Sequence, residues 1–233
     1  MKRRIQLTPR LQCAARMVPP CRQLYDIGTD HAYLPMYLVQ QGVAQRAVAC
    51  DVADGPVRIA RTRIASYGME QQVEVRKADG LAAAADADVA VLAGMGGTLI
   101  GEILLAQAET AHRIPLLVLQ PMTMVYELRR FLHAHDFEIT DEDLAQEGAK
   151  FYSVLAVRAG KQAFESELQY HLGRALLEKR HPLLPAYAAW RAEVLKRRIA
   201  GLERAQQDGA QAQLAQWRLL QKQFLEVAHE QDL

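Results

Sequence analysis

Cysteine is scarce in this sequence: Cys13, Cys21 and Cys50 are the only three in 233 residues. An odd, sparse set with no C-x-x-C spacing excludes a disulfide scaffold and a cysteine-built zinc site. It fits a reducing compartment, and the expected location is the cytoplasm. No apolar run approaches the ~20 residues of a membrane-spanning helix. A dominant charge is missing too, with 28 Lys+Arg against 27 Asp+Glu, so no global basic field announces a nucleic acid. Internal repeats and low-complexity tracts are absent. What remains is an ordinary globular balance, 50% hydrophobic and 24% charged. The length suits one large domain, or one domain with an appendage.

Acid is also missing locally. Nothing acidic precedes Asp26, while Lys2, Arg3, Arg4, Arg10, Arg16 and Arg22 are basic. No apolar signal-peptide core follows these charges. Instead Ile5, Leu7, Leu11, Ala14, Ala15 and Val18 recur at helical spacing. The basic residues read either as a solvated helix face or as a polyanion-facing patch.

From Arg22 to about Gly160 short apolar runs alternate with longer segments of helical character. The runs predict strands at Gln23–Ile27, Ala47–Asp51, Val73–Lys77, Val89–Ala93 and Leu116–Gln120. Helices are predicted at Ala32–Gln41, Pro56–Tyr67, Thr98–Ala108 and Met124–His133, with Asp54-Gly55-Pro56 supplying a cap and a proline for the second. Such alternation implies an α/β fold, a mostly parallel sheet covered on both faces. Phe137–Leu144 and Tyr152–Arg158 have no helix between them and predict an antiparallel terminal pair. Residues 161–233 read as helices at Phe164–Lys179, Tyr187–Gln207 and Ala210–Ala228. His181-Pro182 and Pro185 separate the first two, and Asp208-Gly209 the last two. The apolar stripes of the last two predict an antiparallel hairpin of coiled-coil character. The expected division is a domain over 1–160 and a helical domain over 161–233.

In an open parallel sheet, ligands bind beyond the carboxyl ends of the strands. Those ends carry Asp26-Ile27-Gly28-Thr29-Asp30-His31, then Asp51, then Asp79-Gly80, then Gly94-Met95-Gly96-Gly97, then Gln120-Pro121-Met122. A dinucleotide needs a G-x-G-x-x-G turn for its pyrophosphate. Here Gly28 stands alone in that turn, and Asp30 would repel phosphate. S-adenosylmethionine has no phosphate. It needs backbone approach at Gly28, an acid for the ribose, which Asp51 supplies 23 residues on, and a polar contact for adenine, which Asp79 supplies. Each residue also has a plainer reading. Asp26 serves as a helix cap, Asp51 as a turn residue, His31 as a buried hydrogen-bonded histidine, and Gly94–Gly97 as room for helix–strand packing. Trp190, Trp217 and Phe224 read as hairpin core.

Asp26-Ile-Gly-Thr-Asp-His-Ala-Tyr-Leu-Pro35, Ala93-Gly-Met-Gly-Gly97 and Leu119-Gln-Pro121 together resemble the bacterial tRNA (adenine-22-N1)-methyltransferase family. The Leu7–Leu11 segment, Asp79-Gly80 and Lys150-Phe-Tyr152 add to the likeness. One departure is Gly148-Ala149-Lys150, where the family pattern puts glycine directly before the lysine. The resemblance implies a Rossmann-like class I methyltransferase domain followed by a helical tail, and methyl transfer from S-adenosylmethionine to N1 of an adenine in tRNA. It implies a cofactor site of Asp26, Gly28, Asp51, Val52, Asp79, Gly80, Gly94, Met95 and Gly96. It puts Asp30 beside the target adenine's amine edge, with His31 and Tyr33 orienting base or cofactor. Arg10, Gly97, Gln120, Pro121, Lys150 and Tyr152 are the implied substrate contacts, joined by Arg197 and Arg198 of the tail. The expected partner is tRNA, with no membrane and no metal; a monomer is favoured. Two rivals remain at this stage: a methyltransferase for a small molecule or protein whose tail dimerises, and a non-catalytic module that binds an adenine-containing metabolite.

Overall fold

The computed structural model describes residues 4–205 and 210–229. The basic Lys2 and Arg3 and the turn at Asp208-Gly209 lie outside them. The chain divides into two compact units, Met1–Ala163 and Phe164–Leu233.

The first unit runs α1 (Pro9–Arg16), β1 (Cys21–Ile27), α2 (Tyr33–Gln40), β2 (Ala44–Asp51), α3 (Asp54–Ser66), β3 (Val73–Lys77) and β4 (Val89–Met95). It continues with α4 (Gly97–Ala106), α5 (Ala108–Arg113), β5 (Leu116–Pro121), α6 (Val125–Ala134), β6 (Phe137–Glu147) and β7 (Lys150–Ala159). The sheet order is β3-β2-β1-β4-β5-β7-β6. The first five are parallel, and β7 lies antiparallel between β5 and β6. The expected terminal pair therefore forms, with its second strand on the inside.

Both faces of the sheet are covered. Leu24, Ala47, Ala49, Val73, Val91 and Val118 share one core with Cys13, Ala14, Leu34, Leu38 and Ile64 of α1–α3. The alternate positions Tyr25, Val48, Cys50, Leu92, Leu117 and Leu119 are equally buried on the opposite face, as the two-residue period of a strand requires. The strand order reverses between β1 and β4, so the ends of these two strands open the crevice where a ligand fits.

Several local expectations are corrected. The Asp54 side chain does not cap α3: the N-cap is Ala53, and the Asp54 carboxylate pairs with Lys77 Nζ at 2.8 Å. The short α5 was not expected. It continues from Gln107, the residue where α4 ends.

The second unit contains α7 (Glu167–Leu172), α8 (Arg174–Glu178), α9 (Leu184–Ala205) and α10 (Ala210–His229). The single helix expected over Phe164–Lys179 is two, because buried Gly173 takes φ 99° and breaks the ladder. Pro185 lies inside the first turn of α9, where no intrahelical N–H is lost. Helices α9 and α10 pack antiparallel: Arg218 Nη2 meets Glu203 Oε1 at 2.6 Å, and Gln221 Nε2 donates to the Ala192 carbonyl at 3.3 Å. Ala188, Ala192, Leu195, Ile199, Phe224 and Val227 are buried in this unit, whereas Trp190 and Trp217 are only half-buried.

Candidate active site

Five parallel strands end on one edge, and the candidate residues follow those ends. At the first, Gly28 takes φ +76°, and its N–H, like that of Thr29, donates to the Cys50 carbonyl (2.9 and 2.8 Å). A Cβ at position 28 would lie 2.6 Å from Met95 Cε. The Met95 side chain thus crosses from β4 to the β1 turn at the reversal point. Gly28 is exposed, so its backbone is open to a ligand.

Asp26, just behind, is buried at 7% exposure. Its side chain does not cap α2, whose N-cap is the left-handed Ala32. Burial, reinforced by the charge of Asp51, pushes its carboxyl up to about 6, with the neighbouring Thr29 opposing the shift. An acid held at this cost beside a cleft marks a functional candidate.

Asp51 closes β2, half-buried. One oxygen, Oδ1, accepts from the Ala53 N–H at 2.8 Å. The turn role anticipated for it is present, and it points the carboxylate at the same edge. Val52 next to it is 62% exposed, an apolar side chain with nothing over it. Asp79 is exposed beyond β3. Its loop is pinned at two places. The Leu81 N–H donates to Gln107 Oε1 at 2.9 Å. The Tyr25 hydroxyl donates to Asp86 at 2.6 Å and accepts from Arg76 at 2.9 Å. Gly80, at φ +53°, has Gln107 and Ile103 against its Cα, so the tight turn leaves no room for a side chain.

Asp30 and His31 stand at the mouth, with side chains 71% and 41% exposed. Asp30 Oδ2 lies 3.2 Å from His31 Nε2. His31 Nδ1 is buried and has no hydrogen-bond partner. The plain reading of His31 as a satisfied core histidine therefore fails. The Tyr33 hydroxyl accepts from Arg63 of α3, whose guanidinium also lies 4.6 Å over the Tyr33 ring; that phenol is already engaged by the protein.

At the ends of β4 and β5 the register shifts between Ala93 and Met95. Gly94, at φ +84°, is the extra residue. Gly96 is half-buried and precedes α4 as its N-cap. Four of the expected substrate contacts, Gly97, Gln120, Pro121 and Tyr152, are buried in this structure. Gly97 is buried, with the Met124 backbone against its Cα; it permits a close backbone approach and presents no open surface. Gln120 is 0% exposed. Its Oε1 accepts from Arg10 Nη1 (3.0 Å) and the Gly94 N–H (3.2 Å), and its Nε2 donates to the Pro121 carbonyl at 3.0 Å. Pro121 and Tyr152 are buried in β5 and β7. These residues frame the cleft from behind. Lys150 is exposed at the turn between β6 and β7, where Gly148 at φ +59° supplies the left-handed residue. Arg197 and Arg198 are exposed on α9 of the second unit, Arg197 3.5 Å from Glu193.

The donor set fits S-adenosylmethionine. Gly28 leaves its exposed backbone open to a ligand, Gly80 makes the tight turn beside Asp79, Val52 offers an apolar surface, and Asp51 and Asp79 offer acceptors. The exposed carboxylate of Asp30, in the turn after β1, would repel a phosphate there.

Comparison with known proteins agrees. The Bacillus subtilis tRNA (adenine(22)-N(1))-methyltransferase is 36% identical over 158 residues, 67% of this chain and 66% of its own length. The Streptococcus pneumoniae protein Sp1610, solved in complex with S-adenosyl-L-methionine, superposes with a TM-score of 0.81 at 31% identity, over 94% of this chain and all of its own. The Bacillus subtilis M1A22 tRNA methyltransferase structure gives 0.79 at 27%, over 97% and 98%. Residues 24–223 match the family model for tRNA (adenine(22)-N(1))-methyltransferase, and the chain belongs to that family.

Proposed function

We propose that this chain methylates N1 of adenine 22 in tRNA in the cytoplasm. The observation that carries the reading is the strand-end cleft: a glycine turn and two carboxylates suited to a phosphate-free nucleoside, with the Asp30–His31 pair at its mouth. When bound, S-adenosylmethionine supplies an electrophilic methyl on a sulfonium. Gly28 admits it against bare backbone, Asp51 accepts from the ribose hydroxyls, and Asp79 accepts from the cofactor's amine. Val52 covers its ring, while Asp26, Gly80, Gly94, Met95 and Gly96 shape the pocket.

Adenine N1 has an in-plane lone pair, so no strong base is required. Catalysis is then positioning and electrostatics. The methylated ring carries positive charge spread toward its exocyclic amine. Asp30 faces that amine, steadies the growing charge and accepts its hydrogen bond; His31 orients the carboxylate. In paired RNA, N1 is masked, so the base reaches the site unpaired or extruded. Arg197, Arg198, Lys150 and the basic N-terminal segment hold phosphates.

The test is incubation with labelled methyl donor and unmodified tRNA, beside a transcript carrying guanine at position 22. Label in the first alone, recovered as 1-methyladenosine, is the expected result. Equal labelling of both, or of neither, overturns the reading.

A further inference from the structure

We propose that Glu147 is a positioning residue for the transfer site, acting through Arg10. The inference rests on the function proposed above and adds a residue to it. Helix α1 has no side-chain cap of its own, since Thr8 makes no such bond. The Arg10 N–H in its first turn instead donates to Glu147 Oε1 at 2.9 Å, across 137 positions of sequence. A carboxylate at a helix N-terminus is favoured by the orphan N–H groups and the helix dipole. At the other end of α1, Arg16 pairs with Asp143 at 3.0 Å. Two carboxylates of β6 therefore hold this short helix at both ends.

Held in this way, Arg10 reaches the end of β5. Its Nη1 donates to Gln120 Oε1 at 3.0 Å, and the same oxygen takes the Gly94 N–H at 3.2 Å. The other end of the Gln120 amide is committed to the Pro121 carbonyl, with Met122 Sδ at 3.7 Å. Gly94 is the bulge residue, and directly beyond it the Met122 N–H donates to the Met95 carbonyl at 2.9 Å. The chain Glu147–Arg10–Gln120–Gly94 thus crosses β6, α1, β5 and β4 and fixes residues 94–97 against 120–122. Gln120 is fully buried, so this chain is the way a distant carboxylate sets the frame in which the base is presented. Loosening such a frame costs rate before it costs affinity.

The experiment compares Glu147→Ala, Glu147→Gln, Arg10→Ala and the Glu147→Ala/Arg10→Ala double variant. Measured are the single-turnover rate at saturating cofactor and tRNA, cofactor Kd by calorimetry, melting temperature, and hydrogen exchange of the Gly94 amide. Glu147→Ala should slow transfer on the order of ten- to a hundred-fold and speed Gly94 exchange, with a smaller change in cofactor Kd than in rate. Glu147→Gln, whose amide oxygen still accepts, should recover most of the loss. The double variant should be no slower than Arg10→Ala, because the two act in series. Additive losses, failure of Glu147→Gln to recover the rate, or unaltered Gly94 exchange in Glu147→Ala would overturn the proposal. Should Glu147→Ala not fold, Glu147→Asp, which withdraws the carboxylate by one methylene, serves in its place. If the unaltered protein methylates no tRNA, the functional reading falls, and the Gly94 exchange comparison still decides whether Glu147 controls the frame.

Discussion

Replacing Asp26 by asparagine separates stability from function at this site. The carboxyl is 7% exposed and is pushed from an ordinary 3.8 to about 6 by burial, with Asp51 adding to the shift and Thr29 opposing it. A gap of roughly two pKa units is worth about 3 kcal/mol, at 1.36 kcal/mol per unit. The sign follows from proton binding. Because the folded protein binds this proton more tightly than the unfolded chain, the stabilisation is complete below pH 3.8 and lost as pH rises through about 6. At pH 7 the native fold carries a buried charge. Asp26→Asn keeps the shape and removes the titration, so it should be the more stable protein at pH 7 by up to about 3 kcal/mol, less the loss of charge-assisted hydrogen bonding. At a few degrees per kcal/mol for a unit of this size, that is on the order of 5–10 °C. The advantage should shrink steadily as pH falls toward 4. Thermal melts of both proteins between pH 4 and 8, followed by circular dichroism, measure it. A difference in melting temperature that does not change with pH, or a variant less stable at pH 7, would refute the reasoning: the carboxylate would then be stabilised by its partners more than it is penalised by burial.

Three further outcomes are expected. Asp51→Ala removes the ribose acceptor, a hydrogen bond to a charged group worth ~1.5–3 kcal/mol, and should weaken cofactor binding about ten- to a hundred-fold in calorimetry; unchanged affinity removes Asp51 from the site. Asp30→Asn should lower the single-turnover rate on the order of a hundred-fold while cofactor and tRNA affinities hold, and a near-normal rate would end its catalytic assignment. Glu142→Ala removes a buried carboxylate partner of Arg129, whose Nε donates to Glu142 Oε1 at 2.8 Å with side chains 0% and 1% exposed. A loss of about 3–5 kcal/mol in urea unfolding is expected, and a loss under 1 kcal/mol would mean that the other surroundings of Arg129 satisfy its charge.

Much of the fold was legible because its signals are local. The apolar runs of β1–β5 and the longer segments between them carry their own periods. The period disappears after Ala159, where the last strand ends and helices take over. What misled was also local. The stretch Phe164–Lys179 has helical composition throughout, yet Gly173 adopts φ 99° and splits it, a backbone choice that the neighbouring residues do not announce. Asp54 was expected to cap α3 but pairs with Lys77 instead, since a cap competes with any partner the fold brings near.

The sequence by itself determined the α/β class, the strand ends, and the gathering of Gly28, Asp51 and Asp79 at one edge, because parallel strands joined by helices must all end on the same side. It also placed Asp30 in the turn where phosphate is unwelcome. Only the tertiary structure decided that β7 lies inside β6, that Gly97 faces backbone and not solvent, and that Gln120 is enclosed. Only it, too, set Glu147 on the Arg10 N–H and left His31 Nδ1 without a partner. These depend on sheet register and on contacts between residues separated by 26 to 137 positions, and the spacing of residues along a chain carries no record of which side chain will meet them from across the sheet.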